Sequence, residues 1–155
     1  MKSPITVVAR LVCLCLLALL GAPYSSSSAP PTKELMLFGG ENNSTFLGCL
    51  NCADTSATSI CNTNGEFGSG ESLASIWNSL GDFGSDESDH SPWGDASANP
   101  PVVVDRNNEP YGYFTRNSAH RNRTRIPWLV IALDYYAKTK NLEKTRMEMC
   151  SLSRQ

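Results

Sequence analysis

SICNTNGEFGSGESLA (residues 59–74) is followed directly by SIWNSLGDFGSDESDH (residues 75–90), and a third copy begins at residue 91 with SPWG. The first two copies are identical at nine of 16 positions. Such a density of glycine and serine is unfavourable for a helix, and the apolar positions show no helical period. Each copy is therefore predicted to form very short extended pieces joined by turns, with glycine where the chain reverses.

A unit of this kind cannot bury its own apolar side chains, so consecutive copies are expected to stack on one another. The expected stacked pairs are Phe67 over Phe83, Ile60 over Ile76, and Trp77 beside Trp93. A solenoid usually needs three or more repeats. Two copies and a fragment therefore require another part of the chain as a cap.

The sequence after the repeats contains the candidate elements of that cap. An apolar β-branched run at 102–104, a polar turn and an aromatic run at 111–115 are typical of a β-hairpin. Pro127 fits the first turn of a helix at about 126–139, although WLVIAL at 128–133 also fits a buried strand. The predicted fold is α+β and β-rich, with short stacked Gly/Ser-rich repeats closed by a β-hairpin and one C-terminal helix.

The N-terminus has the order of a secretory signal peptide. Lys2 and Arg10 precede the apolar run 11–20, and small and polar residues follow. That run is shorter than the roughly 20 residues of a membrane span, and an uncleaved anchor is the alternative. The predicted organisation is a signal peptide at 1–29 with an unassigned cut site, a linker at 30–45, one small repeat-plus-cap domain at 46–139, and a polar tail at 140–155. LMLF within the linker is a candidate strand or turn.

This organisation predicts a secreted or periplasmic protein with no stable transmembrane span after signal cleavage. Four cysteines follow the signal, and in an exported chain they are candidates for disulfides: Cys49, Cys52, Cys61 and Cys150. Three pairings are open. The Cys49-x-x-Cys52 motif also suggests redox chemistry, but a poor helix former follows it, which favours a structural disulfide.

No metal or other cofactor is predicted. A zinc site built from Cys49, Cys52, Cys61 and a histidine lacks a second ligand at finger-like spacing from His90 or His120. The carboxylates of GDFGSDESDH (81–90) do not match the twelve-residue calcium loop, so a solvated acidic face is expected. The common catalytic motifs for serine hydrolases, zinc proteases and phosphate binding are absent from the sequence, so no catalytic residue is assigned.

Charge is divided along the chain. Residues 34–105 contain 11 acidic residues and no lysine or arginine, whereas residues 106–155 contain 10 basic and four acidic residues. The two halves are expected to attract each other within one domain. The alternative is a basic face for an anionic partner, with these candidate residues: Arg116, Arg121, Arg123 and Arg125. For an exported chain, anionic glycans or lipid head groups at the cell surface or envelope are favoured over nucleic acid.

The repeat phrases also carry a resemblance. SICN, GEFGS, SIWN, GDFGS and SPW, followed by NPPVVVD and YGYFT, resemble a class of small exported bacterial proteins. Its members carry SICNxxGx(Y/F)GS-type repeats, often with a following Pro-Pro-Val hairpin. The resemblance covers residues 46–131 and implies no particular activity, ligand or functional residue. This chain is acidic where the usual phrase carries tyrosine and lysine.

The sequence therefore predicts an exported structural or binding module without enzymatic activity. Two alternatives remain open at this point. One is a small hydrolase or enzyme-accessory domain at the cell surface. The other is a binder of anionic surfaces that acts through the basic C-terminal half.

Overall fold

The computed structural model describes residues 33–154. The expected signal peptide at 1–29 lies outside these residues. The described chain contains four strands and two helices: β1 Leu35–Gly39, β2 Thr45–Cys49, β3 Val102–Asp105, β4 Pro110–Tyr113, α1 Pro127–Thr139 and α2 Leu142–Leu152. A single 3-10 turn, Glu41–Asn43, joins β1 to β2. The predicted α+β class is confirmed.

The four strands form one antiparallel sheet in the order β2-β1-β3-β4. Leu37 of β1 pairs with Val103 of β3, and both side chains are fully buried. β4 lies at one edge of the sheet. Part of that edge is covered, because the backbone of Tyr113 bonds to Asn122 and Thr124. The loop around residue 122 is thereby fixed against the sheet.

β1 occupies a central position in the sheet although the sequence placed it inside a linker. Its residues alternate between buried and half-buried, as expected for a strand with one face on a core. The Asn51 side chain accepts a hydrogen bond from the Leu35 N–H at 2.7 Å and donates to the Lys33 carbonyl at 2.9 Å. These contacts fix the start of β1 to the turn that follows β2.

The β3–β4 hairpin is present, with strand ends that differ by one or two residues from the predicted ones. The Asp105 carboxylate organises its turn by accepting hydrogen bonds from the backbone N–H groups of Asn107 at 2.8 Å and Glu109 at 3.0 Å. Asn108 adopts the left-handed conformation at φ 61°, which asparagine tolerates better than most residues.

Two helices end the described chain where the sequence predicted one helix and a polar tail. α1 begins at Pro127 and ends where Lys140 turns left-handed at φ 51°. Asn141 then caps a second helix, because its side chain accepts the Lys144 N–H at 2.9 Å. α2 packs on α1 and buries Met149. Neither helix is long and apolar enough to cross a membrane.

The repeats lie in residues 50–101, which connect β2 to β3 mainly through turns. Their hydrogen bonds recur at the 16-residue spacing of the sequence. Ser59, Ser75 and Ser91 each accept, at 3.1 Å, the backbone N–H two residues later. The side-chain oxygens of Asn62 and Asn78 likewise accept the N–H two residues later, at 3.2 and 3.0 Å. Side-chain-to-backbone bonds thus hold a segment that lacks regular secondary structure.

Tryptophan connects successive copies. The indole N–H of Trp77 donates to the Ile60 carbonyl at 2.8 Å, and that of Trp93 donates to the Ile76 carbonyl at 2.6 Å. The two indole rings lie 5.4 Å apart. Ile60, Ile76 and Trp93 are fully buried.

The two phenylalanines of the repeats are half-buried and pack on the sheet side of the molecule. Phe67 was expected over Phe83, and the ring observed next to Phe67 is that of Phe46 in β2, at 4.9 Å. Phe83 lies beside Gly39 of β1, where an added Cβ would approach its ring to 3.4 Å. The sheet and the repeats therefore share one hydrophobic core.

Candidate functional site

The four cysteines that were predicted to form disulfides do so, as Cys49–Cys52 and Cys61–Cys150. The first closes a short turn at the end of β2. The second joins the first repeat to α2 across 89 residues of sequence. Both bonds thus tie the irregular segment to regular structure.

A carboxylate lies close to the first disulfide. Ligand atoms of Glu34, Cys49 and Cys52 lie within 4.8 Å of one another, and no other such group of three occurs among the residues that the structure describes. The two sulfurs are bonded to each other, and Glu34 forms an ion pair with Arg106. Since Cys61 is bonded to Cys150, the thiols of the zinc alternative are not free to bind a metal.

The acidic segment 81–90 forms local contacts. Asp82 accepts a hydrogen bond from the Ser88 hydroxyl at 2.5 Å and lies 2.7 Å from His90 Nδ1. The Ser88 hydroxyl, and then His90, hold the pKa of Asp82 below its usual range. The Ser88 hydroxyl donates its proton to the Asp82 carboxylate and not to His90. His90 is therefore not placed to activate Ser88 as a nucleophile.

Two of the four candidate arginines serve internal contacts. Arg116 donates from Nε to the Trp93 carbonyl at 2.6 Å and forms an ion pair with Asp95. Arg123 donates to the Thr115 carbonyl at 2.9 Å and to Asp134 at 3.1 Å. Their side chains are only 13% and 15% exposed. These two residues support the loop from within the fold.

The other two candidates, Arg121 and Arg125, are exposed. Within residues 33–154, no carboxylate lies within salt-bridge distance of either guanidinium. An exposed cation without a partner keeps its full capacity to bind an anion. Arg121 and Arg125 are therefore both open to an anionic ligand.

Three surface clefts meet at Arg121. The first, of about 560 Å³, lies against β4 and contains Tyr111, Tyr113 and Arg125. The second, of about 470 Å³, lies between the 3-10 turn and the loop of His120. The third, of about 560 Å³, lies towards Val130 of α1 and again contains Arg125. We call these clefts, with the arginine that they share, the Arg121 surface.

Much of the remaining charge is matched inside the domain. Four ion pairs join the acidic part of the sequence to the basic part: Glu34–Arg106, Asp95–Arg116, Asp86–Lys140 and Asp54–Arg154. The expected attraction between the halves is thus seen in the structure. It leaves the Arg121 surface as a basic region outside these pairs.

Sequence reasoning missed the amides around this surface. Asn42, Asn43, Asn99 and Asn122 all line the second cleft, although they come from three separate segments. Two of these residues are adjacent to each other in the sequence, but no pattern there connects them to Asn99 or Asn122. Only the fold brings the four together.

Comparisons of the chain with models of protein families, with curated proteins and with solved structures found no match. The fold and the site define a small disulfide-linked α+β domain with a basic, cleft-lined surface. Its function is therefore argued from that geometry.

Proposed function

We propose that this protein is an exported, non-enzymatic binding module that takes an anionic ligand at the Arg121 surface. Export is supported by the signal-like N-terminus and by two disulfides, which persist mainly in oxidising compartments. The observation that carries the binding role is the exposure of Arg121 and Arg125 without carboxylate partners, since Arg121 lines all three clefts and Arg125 lines two of them.

The repeats serve this module as a scaffold of stacked units. Hydrogen bonds recurring every 16 residues and the Trp77–Trp93 ring contact support that role. The last repeat is in turn bonded to Arg116, which donates to the Trp93 carbonyl. Arg116 lies in the segment that leads to the loop of the Arg121 surface. A rigid support of this kind lowers the entropic cost of binding, since the loop is already ordered.

The hydrolase alternative has less support. The most suggestive group, Asp82 with Ser88 and His90, directs the serine proton to the carboxylate. It also lies in the acidic part of the chain, whereas Arg121 and Arg125 lie in the basic part. The geometry therefore favours binding over catalysis.

Binding is tested by retention on immobilised heparin in a salt gradient. The double variant Arg121→Ala/Arg125→Ala should elute at markedly lower salt than the parent, because it lacks the two guanidiniums that line the clefts without a carboxylate partner. The matched control is Lys138→Ala/Lys144→Ala, which removes the same charge from exposed positions on α1 and α2. Equal shifts for the two double variants, or no retention of the parent at low salt, would contradict the proposal.

A further inference from the structure

The second cleft of the Arg121 surface is lined by four asparagines whose side-chain amides are free to bind a ligand. The side chains of Asn42, Asn43, Asn99 and Asn122 line it, and none of them hydrogen-bonds to another described residue. The side chains of Asn51, Asn62, Asn78, Asn117 and Asn141 bond to backbone groups, and those of Asn64, Asn107 and Asn108, which are unbonded, lie outside the cleft. The cleft thus concentrates free hydrogen-bonding capacity at one place.

Amides suit a particular kind of ligand. Each offers two N–H donors and a carbonyl acceptor in one plane, so it can bond to neighbouring groups that both donate and accept. Hydroxyl groups have this dual character, whereas phosphate and carboxylate oxygens only accept. An amide-lined cleft therefore fits a polyhydroxylated ligand better than a simple anion.

Aromatic rings adjoin the amides. Tyr113 lines both the first and the second cleft, and its ring lies 4.9 Å from that of His120. Tyr111 lies two residues earlier on β4 and also lines the first cleft, so the two tyrosines share a face of the strand. Such rings combine an apolar face with a polar edge and can contact the C–H face of a sugar ring.

Charge completes the match. Arg121 belongs to the amide cleft and to the tyrosine cleft, and Arg125 extends the latter. Guanidinium groups bind carboxylate and sulfate through paired N–H donors. The two clefts, of about 470 and 560 Å³, each lie in the size range of small-molecule sites.

The geometry points to an acidic oligosaccharide as the ligand, with the hydroxyl groups of one sugar in the amide cleft, and with Arg121 and Arg125 on its carboxylate or sulfate groups. This inference rests on the proposed binding function and narrows it to one ligand class. It favours a carbohydrate over a lipid head group, since a bilayer surface offers charge without a chain of sugar rings to enter the clefts.

The test uses the full exported chain and three probes: a uronic-acid hexasaccharide, a linear polyphosphate, and vesicles containing an anionic phospholipid. The informative variant is Asn99→Ala/Asn122→Ala, because both side chains are exposed and neither residue has a positive φ. Asn42 and Asn43 are left unchanged, since their left-handed backbone would be strained by alanine. Asn64→Ala/Asn107→Ala is the matched control, also at exposed positions.

We expect the amide variant to bind the hexasaccharide at least fivefold more weakly, with a clearly smaller loss of affinity for polyphosphate. The control should match the parent for both probes, and all variants should melt within a few degrees of it. Unchanged hexasaccharide binding by the amide variant would overturn the sugar assignment. So would vesicle binding without hexasaccharide binding. If Arg121→Ala/Arg125→Ala still weakened polyphosphate binding in those cases, the anion-binding function would stand alone.

Discussion

Trp93 donates its indole N–H to the carbonyl of Ile76 at 2.6 Å, 17 residues back along the chain. Trp77 makes the same contact with Ile60. A buried carbonyl in a segment without ladders needs such a donor, because water cannot reach it. The repeated tryptophan thus replaces the backbone partner that a regular β-solenoid would supply.

Replacing Trp93 by phenylalanine keeps an aromatic ring and removes the donor. We expect a loss of about 1–3 kcal/mol in the free energy of unfolding, since the Ile76 carbonyl is left unsatisfied in the core. Urea denaturation followed by circular dichroism measures it. Trp128→Phe is the control, because the Trp128 side chain is only partly buried and its indole makes no hydrogen bond with a described residue. Equal losses for the two variants would contradict the role given to the Trp93 donor.

Glycine is required at one position of each repeat for a steric reason. A Cβ on Gly68 would lie 2.1 Å from the Asn62 carbonyl oxygen, and one on Gly84 would lie 2.1 Å from that of Asn78. Both neighbours are backbone atoms, which cannot move aside as a flexible side chain does.

Gly68→Ala should therefore lower the free energy of unfolding by at least about 2 kcal/mol, within the range of overpacked sites. Gly70→Ala should change it little, because the nearest atom beyond the adjacent residues, the Trp77 carbonyl oxygen, would be 3.9 Å from the new Cβ. Thermal melting of the pair measures the contrast. Similar melting temperatures would mean that the 62–68 turn relaxes to accept a side chain.

Several parts of this fold could be predicted from the sequence because their signals are local. The 16-residue spacing of the repeats indicated equivalent positions for Trp77 and Trp93, and the structure places their rings 5.4 Å apart. Pro127 marked the start of α1. The hairpin followed from a β-branched run, a polar turn and an aromatic run.

Other parts depend on contacts that are distant in sequence. β1 is a central strand because β2 and β3 pair with it, and LMLFG alone does not show this. α2 had a readable signal in the Asn141 cap and in Leu142, Thr145 and Met149, spaced as on one helix face. Because the segment is mostly polar, residues 140–155 were nevertheless predicted to be a tail.

The site was predictable only in its charge. Sequence identified four arginines but could not separate Arg116 and Arg123, which bind carbonyls of the fold, from Arg121 and Arg125. That separation depends on which carbonyls and carboxylates come near. The amide cleft likewise depends on the meeting of three loops.

The two disulfides should contribute unequally to stability. Cys61–Cys150 closes a loop with a sequence separation of 89 residues, and Cys49–Cys52 one with a separation of three. In the chain-entropy description, this difference corresponds to about 4.5 kcal/mol for the long loop and about 2 kcal/mol for the short one. Cys61→Ser/Cys150→Ser should thus unfold at much lower urea than Cys49→Ser/Cys52→Ser. The opposite order would show that packing around Cys49 outweighs loop entropy.

Stability should fall in acid, partly through Asp105. The pKa of Asp105 lies below its usual range, first because its carboxylate accepts the Glu109 and Asn107 N–H groups, and then because of Lys33. A carboxylate with a lowered folded-state pKa stabilises the fold above its usual pKa, and this contribution is lost as the pH falls through the folded value. The loss should therefore develop below about pH 4.

Asp105→Asn removes the titrating group while keeping an oxygen for the turn. It should be less stable than the parent at pH 7, and the gap should narrow as the pH falls from 5 towards 2, because the parent loses the charge that the variant never had. Melting temperatures across that range measure the gap. The comparison variant is Glu66→Gln, at an exposed carboxylate with no ion pair among the described residues. At pH 7 it should be about as stable as the parent, because no ion pair is lost. A gap between Asp105→Asn and the parent that stays constant with pH would show that the turn depends on the shape of the side chain and not on its charge.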